Sequence, residues 1–356
     1  MGKKGNVGHL LKARINKNDE FYTMYKDIEK ELINYDVGVF KGKVIFLNCD
    51  NYKHSQFYQY FKDNFEEYGV KEVHALHIQL EEDSKVYHAK LSKGKNGKVK
   101  EEIVEVSEKT TGDFRDDYSI GILEKSDMVV TNPPFSLVRE YVSLIEEYNK
   151  DIMIICSQNT VSYKEVYPKI VSKDLWLGVN SGTMRFVLPE NTHEDNKNAR
   201  YDEENNFYYQ SLGNIIWLTN IKPKEKREQI ELLNSYREDP LNYPKYYNAD
   251  AIEVSRVAEI PKDYEGLMGV PITYINKHNE DQFEIVGHGR EERLQLDKER
   301  LHVYRNGRKT GKTESSIGDL YRPLKPKEKK PMMTYKDEEG NEYRRVYSRY
   351  IIRRKV

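Results

Sequence analysis

The feature that most constrains this chain is a pair of consecutive prolines at the end of an apolar run. The stretch SDMVVTNPPFSLVREYV, residues 126–142, has Asn132, Pro133, Pro134 and Phe135 at its centre. Proline lacks a backbone N–H and fixes φ, so two prolines end a strand that depends on ladder hydrogen bonds. The pattern predicts a short buried strand, a rigid turn and then an amphipathic helix.

Apolar strands alternate with amphipathic helices through most of the N-terminal part of the chain. This alternation predicts an α/β fold with a mixed, mostly parallel sheet, and ligands in such sheets bind at the carboxyl ends of the strands. An edge hairpin with an Asn-Gly turn is predicted over residues 85–106, and an exposed loop over 190–206. The predicted strands cover 43–50, 70–80, 126–132, 151–158, 174–180, 184–189 and 214–221, and the predicted helices cover 19–36, 55–69 and 136–150.

The composition and the predicted secondary structure of the chain change near residue 222. Residues 222–240 are highly charged and predict a linker or a capping helix, and the short strands beyond them predict a smaller, β-rich domain. We therefore divide the chain into residues 1–221 and 222–356. Residues 301–356 hold 16 Lys/Arg and 7 Asp/Glu, a balance of +9 in a chain of net charge -1. Charge alone fits a nucleic-acid footprint and a solvated tail equally well.

Several classes of protein are disfavoured by composition. The sequence has no run near the roughly 18 apolar residues of a spanning helix, so we expect a cytoplasmic protein with no membrane partner. The cysteines, Cys49 and Cys156, are too few for a disulfide framework. His74 and His77 are three apart on a predicted strand and face opposite sides, so we expect no metal site. Residues 307–313 resemble a phosphate-binding loop, but its required first glycine is replaced by Asn306.

The Asn-Pro-Pro-Phe element has the chemistry needed to activate an exocyclic amine. The lone pair of such an amine is delocalised into the base, and two acceptors aimed at its hydrogens favour a nucleophilic form. The Asn132 side-chain oxygen and the Pro133 carbonyl are candidate acceptors, and Phe135 offers a face on which an extruded base can stack. The alternative is a plain Asn-Pro turn. The strand before the element and the helix after it favour the catalytic interpretation.

With this element and several others, the chain resembles the EcoRI-type adenine-specific DNA methyltransferases. The similarity runs over nearly the whole chain, with residues 85–106 and 190–207 less alike. It implies a Rossmann-like fold, S-adenosylmethionine as cofactor, and methylation of the N6 amine of a flipped adenine in duplex DNA. The stretches that carry it are NKNDEFYT, GKVIFLNCD, GDFRDD, WLGVNSG, NIIWLTN, MGVPITYINKHNEDQFEIVG and RVYSRYIIRR.

The resemblance also implies a cofactor site built from three segments. An aromatic-Thr segment before the first long strand closes over the cofactor, and the turn after that strand holds the cofactor's ammonium group. An acidic and an aromatic residue before the catalytic strand bind the cofactor's adenine. The residues at these places are Phe21, Tyr22 and Thr23, then Cys49 and Asp50, then Asp113 and Phe114.

Some of these positions have structural alternatives. Asp19 also suits the N-cap of a helix, which would make the aromatic-Thr segment an ordinary helix start. Asp50 also suits the cap of a turn, because the turn after the first long strand lacks the usual glycine-rich pattern. Neither Glu81 nor Glu82 can be assigned to the cofactor's ribose.

DNA recognition is predicted for the C-terminal part, with Arg305, Arg308 and Lys309 in contact with DNA. Residues 343–354 also combine cations with aromatics, but their alternation indicates a half-buried strand. The expected partners are duplex DNA and, as a separate protein, a cognate restriction endonuclease, and the expected state is a monomer. The alternatives are methylation of RNA or of a protein glutamine, and a catalytically silent DNA-binding protein on the same scaffold.

Overall fold

A computed structural model describes residues 22–78, 85–95, 97–188, 196–225, 227–314 and 319–355. The chain folds into two compact units: Met1–Thr160 with Asp174–Glu225, and Val161–Lys173 with Lys226–Val356. The change of unit after Glu225 lies near the boundary at residue 222, whereas the membership of Val161–Lys173 in the second unit was not anticipated. The roles of the two parts stay predictions. Within the described ranges, no helix has the length and apolar character needed to cross a membrane.

The first unit is built on one large sheet. Among the described residues its strand order is β1-β8-β10-β7-β6-β2-β3-β4-β5, with β9 paired to β10. The strands are β1 (Tyr22–Thr23), β2 (Val44–Leu47), β3 (Glu72–Leu76), β4 (Tyr87–Lys93), β5 (Val99–Glu105), β6 (Met128–Thr131), β7 (Asp151–Ser157), β8 (Trp176–Val187), β9 (Arg200–Asp202) and β10 (Phe207–Thr219).

Parallel pairing is confined to the centre of this sheet. There β2 pairs in parallel with β3 and with β6, and β6 pairs in parallel with β7. The prediction of a mixed α/β sheet is confirmed, but a mostly parallel sheet is wrong. On both sides of the parallel centre, neighbouring strands run in opposite directions. On one side β4 and β5 pair antiparallel, and on the other side β10, β8 and β1 do.

The first two helices of the unit bury apolar residues at helical spacing. On the first helix Ile28 and Leu32 are fully buried, and on the second Phe57 and Phe61 are. The second and third helices begin with a side-chain cap from Ser55 and Asp116 respectively. The helices are α1 (Tyr25–Leu32), α2 (Gln56–Asp63), α3 (Asp117–Lys125), α4 (Val138–Glu147) and, in the second unit, α5 (Tyr167–Ser172).

A buried carboxylate on α1 fixes the position of β8. Glu31 is fully buried and accepts hydrogen bonds from the backbone of Val179 (2.9 Å) and Asn180 (2.8 Å). A Cβ on Gly178 would lie 2.2 Å from the Glu31 Oε1 atom, so only glycine fits there. The separate strands predicted over 174–180 and 184–189 are one strand, β8. It continues through Gly182 (φ +120°) beside a register shift on β10.

The second unit consists mainly of short strands in two small sheets. Their orders are β11-β12-β19-β13 and β15-β14-β17-β18-β16. The helix α5 packs against β13. The strands are β11 (Ile252–Glu253), β12 (Met268–Pro271), β13 (Phe283–His288), β14 (His302–Arg305), β15 (Arg308–Thr313), β16 (Leu320–Pro323), β17 (Met333–Lys336), β18 (Glu342–Val346) and β19 (Arg349–Arg354).

The helix predicted over residues 222–240 is wrong. Its described residues form no α-helix, and they include a turn over residues 236–238 and a 3-10 turn that begins at Pro240. Side-chain amides elsewhere in the unit satisfy its backbone: Gln282 bonds both the N–H (2.8 Å) and the carbonyl (2.7 Å) of Ile230, and Asn279 donates to the Arg227 carbonyl. These bonds replace the hydrogen bonds that a helix would supply.

Candidate active site

The candidate site lies at the carboxyl ends of β2 and β6. The two neighbours β3 and β6 lie on opposite sides of β2, which makes this a topological switch point where open α/β sheets bind ligands. Asp50 follows β2 and Asn132 follows β6. The Thr131 hydroxyl, at the last position of β6, donates to Asp50 Oδ2 at 2.5 Å and links the two strand ends directly.

Asp50 is a buried carboxyl held by hydroxyl groups. Ser55 Oγ donates to its Oδ1 atom at 2.6 Å, in addition to the bond from Thr131. Burial raises the pKa of Asp50 to about 6, and the two hydroxyls oppose that rise. In the part of the chain that the structure describes, no cation pairs with this carboxyl. A cationic group of a ligand would therefore be favoured next to it.

The Asn-Pro-Pro-Phe element is a rigid turn between β6 and α4. Pro133 is buried, while Asn132, Pro134 and Phe135 are half-buried. The Leu137 N–H donates to the Pro134 carbonyl at 2.9 Å and closes a 3-10 turn that leads into α4. The predicted order of strand, turn and helix is thus present, and the element is placed at the crevice.

Phe135 and the β1 segment lie around the same residue of β8. The Phe135 ring meets Phe186 edge-on, with 6.3 Å between the ring centroids. Phe186 is the β-ladder partner of Thr23 on β1. The Thr23 hydroxyl is buried and has no hydrogen-bond partner among the residues described. Tyr22 contacts His54, which follows β2, with 5.7 Å between the centroids. Phe21 lies outside the described residues.

A second group of contacts joins the end of β2 to α4 and to the loop before α3. Asn48 is buried and its Oδ1 atom accepts a hydrogen bond from the hydroxyl of Tyr141 on α4. The Asn48 Nδ2 group has no partner within the described ranges. Phe114 packs edge-on against Tyr141 with centroids 5.1 Å apart. Phe114 is therefore brought to the β2 end of the site.

Asp113 is engaged by an arginine of its own loop. Arg115 donates to both carboxylate oxygens of Asp113, at 2.8 and 3.0 Å, and to Glu140 on α4 at 3.0 Å. Gly112 adopts φ +83° and lies so close to the chain after β3 that a Cβ would be 2.1 Å from the His77 carbonyl oxygen. The loop is thus fixed against β3, at the side of the crevice where Asp50 lies.

Cys49 directly precedes Asp50 and is subject to the charges of both Asp50 and Asp113. Burial raises the pKa of its thiol, and the charges of Asp50 and Asp113 raise it further. The thiol is therefore protonated at neutral pH and is a poor nucleophile.

A pocket of about 260 Å³ opens beside His54. Its lining includes two lysines and two histidines. The Lys53 ammonium lies over the rings of Tyr52 and Tyr87. A pocket at the ends of two neighbouring strands is a suitable place for an anionic part of a ligand. The lining residues are Asn51, Tyr52, Lys53, His54, His77, Lys85 and Tyr87.

The residues predicted to contact DNA are in the second unit. Arg305 ends β14, and Arg308 and Lys309 begin β15, with all three side chains exposed. They belong to a two-residue hairpin at Asn306 and Gly307, so the stretch that resembles a phosphate-binding loop is a strand and its turn.

Sequence reasoning missed several side chains of the site. Thr131 and Ser55 hold Asp50, Tyr141 holds Asn48, and His54 contacts Tyr22. Thr131 had a usable signal, because it is the polar end of an apolar strand next to Asn132. The others depend on contacts between segments that are distant in sequence.

The chain is similar in sequence to known methyltransferases. A family model described as adenine-specific methyltransferase EcoRI matches residues 9–355, so the chain is a methyltransferase. The chain is 40% identical to the Type II methyltransferase M.EcoRI of Escherichia coli over 78% of its length and 88% of that relative. It belongs to the EcoRI family of adenine-specific DNA methyltransferases.

Two mycoplasma proteins extend the comparison. The Type II methyltransferases M.MgeORF184P of Mycoplasma genitalium and M.MpnI of Mycoplasma pneumoniae are each 34% identical to the chain. Each alignment covers 78% of this chain and 85% of the relative. No solved structure matches the chain significantly.

Proposed function

We propose that this enzyme transfers a methyl group from S-adenosylmethionine to the N6 amine of an adenine extruded from duplex DNA. The observation that carries the proposal is the hydrogen bond from Thr131 to Asp50. It joins the element suited to the amine, which follows β6, to the buried carboxyl suited to the cofactor, which follows β2.

On the acceptor side, the amine would donate to the Asn132 side-chain oxygen and to the Pro133 carbonyl. The Pro134 carbonyl is already used by the Leu137 N–H, which favours Pro133 as the backbone acceptor. Phe135, supported edge-on by Phe186, offers its face to the extruded base. Stacking of this kind contributes roughly 1–3 kcal/mol per base. That is comparable with the few kcal/mol that extrusion costs.

On the cofactor side, the residues present fit S-adenosylmethionine. Asp50 is a buried carboxyl with no cation among the described residues and would hold the ammonium group. The Thr23 hydroxyl and the Asn48 Nδ2 group have no hydrogen-bond partner among the residues that the structure describes, and they are further polar groups for it. Phe114 would pack on the adenine and Asp113 would accept from its amine, with Phe21, Tyr22 and Cys49 completing the site. When bound, the cofactor supplies an electrophilic methyl group.

We assign different functions to the two units. The central order β3-β2-β6-β7, all parallel, supports a Rossmann-like methyltransferase domain in the first unit. We assign DNA recognition to the β-rich second unit, with Arg305, Arg308 and Lys309 in contact with DNA. A monomer, a cytoplasmic location and a separate cognate restriction endonuclease remain predictions.

Labelled cofactor tests this function. We expect tritium transfer from S-adenosylmethionine to duplex DNA, and its loss in Asn132→Ala. Calorimetry with S-adenosylhomocysteine should show that Asn132→Ala still binds the cofactor product. Asn205→Ala, which removes an exposed asparagine in the turn before β10, serves as a matched control and should retain transfer. Transfer to RNA or protein but not to DNA would overturn the proposal.

A further inference from the structure

The hairpin β14–β15 is an exposed ribbon at the edge of its sheet. Asn306 (φ 49°) and Gly307 (φ 77°) form a tight turn between the two strands. β15 pairs only with β14 in the five-stranded sheet, and all six of its residues are exposed. A strand that buries neither face gains little from packing, so its sequence is free to serve a binding partner.

The charges of this ribbon have one sign. Residues 302–313 contain four Lys/Arg and no Asp/Glu. Arg305 and Arg308 are direct cross-strand partners, an arrangement that is destabilising for like charges. Among the described residues neither forms an ion pair, nor do Lys309 and Lys312. An anion that binds the hairpin would relieve this repulsion.

Several other cations of the C-terminal region form ion pairs with carboxylates, whereas the four cations of the hairpin form none among the described residues. The basic stretch 343–354 is largely structural in this respect. The pairs are Arg322–Glu328 (2.8 Å), Lys336–Glu342 (2.9 Å), Arg345–Asp319 (3.1 Å), Arg349–Glu253 (2.7 Å), Arg353–Glu284 (2.8 Å) and Arg344–Glu328. Among the described residues, the hairpin therefore presents four cations, close together along the chain, that no carboxylate pairs with.

Both faces of the ribbon carry cations. Arg305 and Arg308 are ladder partners and share one face, and Lys309 pairs with Tyr304 on the other. A flat acidic surface would meet only one of these faces. A groove of duplex DNA has a phosphate backbone on each side, and the major groove, about 12 Å wide, admits a two-stranded ribbon.

We infer that the β14–β15 hairpin enters a groove of duplex DNA as a two-stranded ribbon. Arg305 and Arg308 lie beside the turn at the tip, where they reach base edges or phosphates, and Lys309 and Lys312 contact the backbone. The inference rests on the proposed function, since it assumes that the substrate is duplex DNA.

Salt-dependent binding tests this inference. The probe is a fluorescent 30-base-pair duplex of random sequence, titrated at several salt concentrations. Each phosphate contact contributes about 0.9 to the slope of log affinity against log salt. We expect Arg308→Ala to weaken binding. The triple variant Arg305→Ala/Arg308→Ala/Lys309→Ala should reduce the magnitude of the slope by the contribution of about two to three phosphate contacts. Arg353→Ala removes an exposed arginine that is paired with Glu284 and should leave the slope unchanged.

S-adenosylhomocysteine calorimetry separates this inference from the proposed function. The triple variant should bind the cofactor product as the unmodified enzyme does, because its substitutions lie in exposed positions of the second unit. If the triple variant and the unmodified enzyme bind the duplex with equal slope and affinity, the hairpin inference is overturned and the proposed function stands. An unmodified enzyme that binds the cofactor product but no duplex overturns both.

Discussion

The Thr131 hydroxyl donates a hydrogen bond to the buried carboxyl of Asp50 and thereby joins the ends of two neighbouring parallel strands. Thr131 directly precedes the Asn-Pro-Pro-Phe element, and Asp50 belongs to the turn assigned to the cofactor. One hydrogen bond thus fixes the element proposed to bind the amine relative to the turn proposed to bind the cofactor. This relationship makes Asp50 and Thr131 the residues through which the cofactor assignment can be tested.

Cofactor binding should depend on the ionisation of Asp50. Burial raises the pKa of Asp50 to about 6, and only its ionised form attracts an ammonium group. Affinity for S-adenosylhomocysteine, which carries the same ammonium, should therefore be full above pH 7 and decline as the pH falls through about 6. Calorimetry over this range measures it. A pH-independent affinity between 5 and 8 would refute the assignment of Asp50 to the ammonium.

Thr131→Val should shift the midpoint of the pH dependence of S-adenosylhomocysteine binding to higher pH. Valine keeps the shape of threonine but removes a hydroxyl that stabilises the Asp50 carboxylate, so the pKa of Asp50 should rise further. The midpoint of cofactor-product binding should shift to higher pH, and affinity at pH 7 should fall. Thr313→Val, at an exposed position of β15, is a control that should leave the midpoint in place. An unshifted midpoint in Thr131→Val would contradict the linkage.

Asp113→Asn should weaken cofactor binding without abolishing folding. The carboxylate is proposed to accept from the cofactor's adenine amine, and a hydrogen bond to a charged group contributes about 1.5–3 kcal/mol. The dissociation constant for S-adenosylhomocysteine should rise roughly 10- to 100-fold. Asp117→Asn, an exposed residue at the start of α3, is the matched control. Equal affinities of the two variants for S-adenosylhomocysteine would show that Asp113 does not bind the cofactor.

Gly178→Ala should destabilise the first unit. Its Cβ would lie 2.2 Å from Glu31 Oε1 and 2.5 Å from Trp217 Cβ, and such overpacking costs about 1–3 kcal/mol. Thermal unfolding should occur at a lower temperature. Gly213→Ala lies in the same sheet, and its Cβ would meet nothing nearer than 4.0 Å. If both variants melt alike, the close approach of β8 to Glu31 does not limit stability.

Stability should decrease below neutral pH because buried histidines resist protonation. Burial lowers the pKa of His88 and of His278 to about 4, and that of His288 to about 3. An unfolded histidine has a pKa of about 6.5, so the unfolded chain takes up protons first, and the free energy of unfolding falls from pH 6.5 downward. Asp50 acts in the opposite sense between about pH 4 and 6 but is one group against three.

Denaturant titrations at pH 7 and pH 5 measure this dependence. His288→Leu should reduce it, because it removes a fully buried imidazole that stacks on Tyr167. His302→Leu, on a half-buried position of β14, is the control. A dependence that is the same in both variants would exclude His288 as a contributor.

The elements that the sequence predicted correctly have strong local signals. The apolar run ending in Asn132 predicted β6 and its rigid turn because proline removes backbone donors whatever the tertiary context. Asp50 was placed at the crevice by the same reasoning, since it follows an apolar strand. The burial of Ile28 and Leu32 followed from helical periodicity.

The parts that the sequence did not predict depend on partners distant along the chain. The segment 222–240 has a helical composition, but Gln282 and Asn279 bond to its backbone in a non-helical conformation. The positive charge of residues 301–356 fitted a nucleic-acid footprint and a solvated tail equally well, and acids such as Glu284 and Asp319 neutralise part of it. The engagement of Arg115 by Asp113 and Glu140 likewise follows from the packing of a loop on α4.

The most direct test of the central claim is sequencing that detects methylated adenine in DNA from cells expressing the protein. We predict N6-methyladenine at one recurrent short sequence with the unmodified chain, and its absence with Asn132→Ala at equal protein level. Unmethylated DNA from cells that contain folded, cofactor-binding protein would contradict the account, as would full methylation by Asn132→Ala.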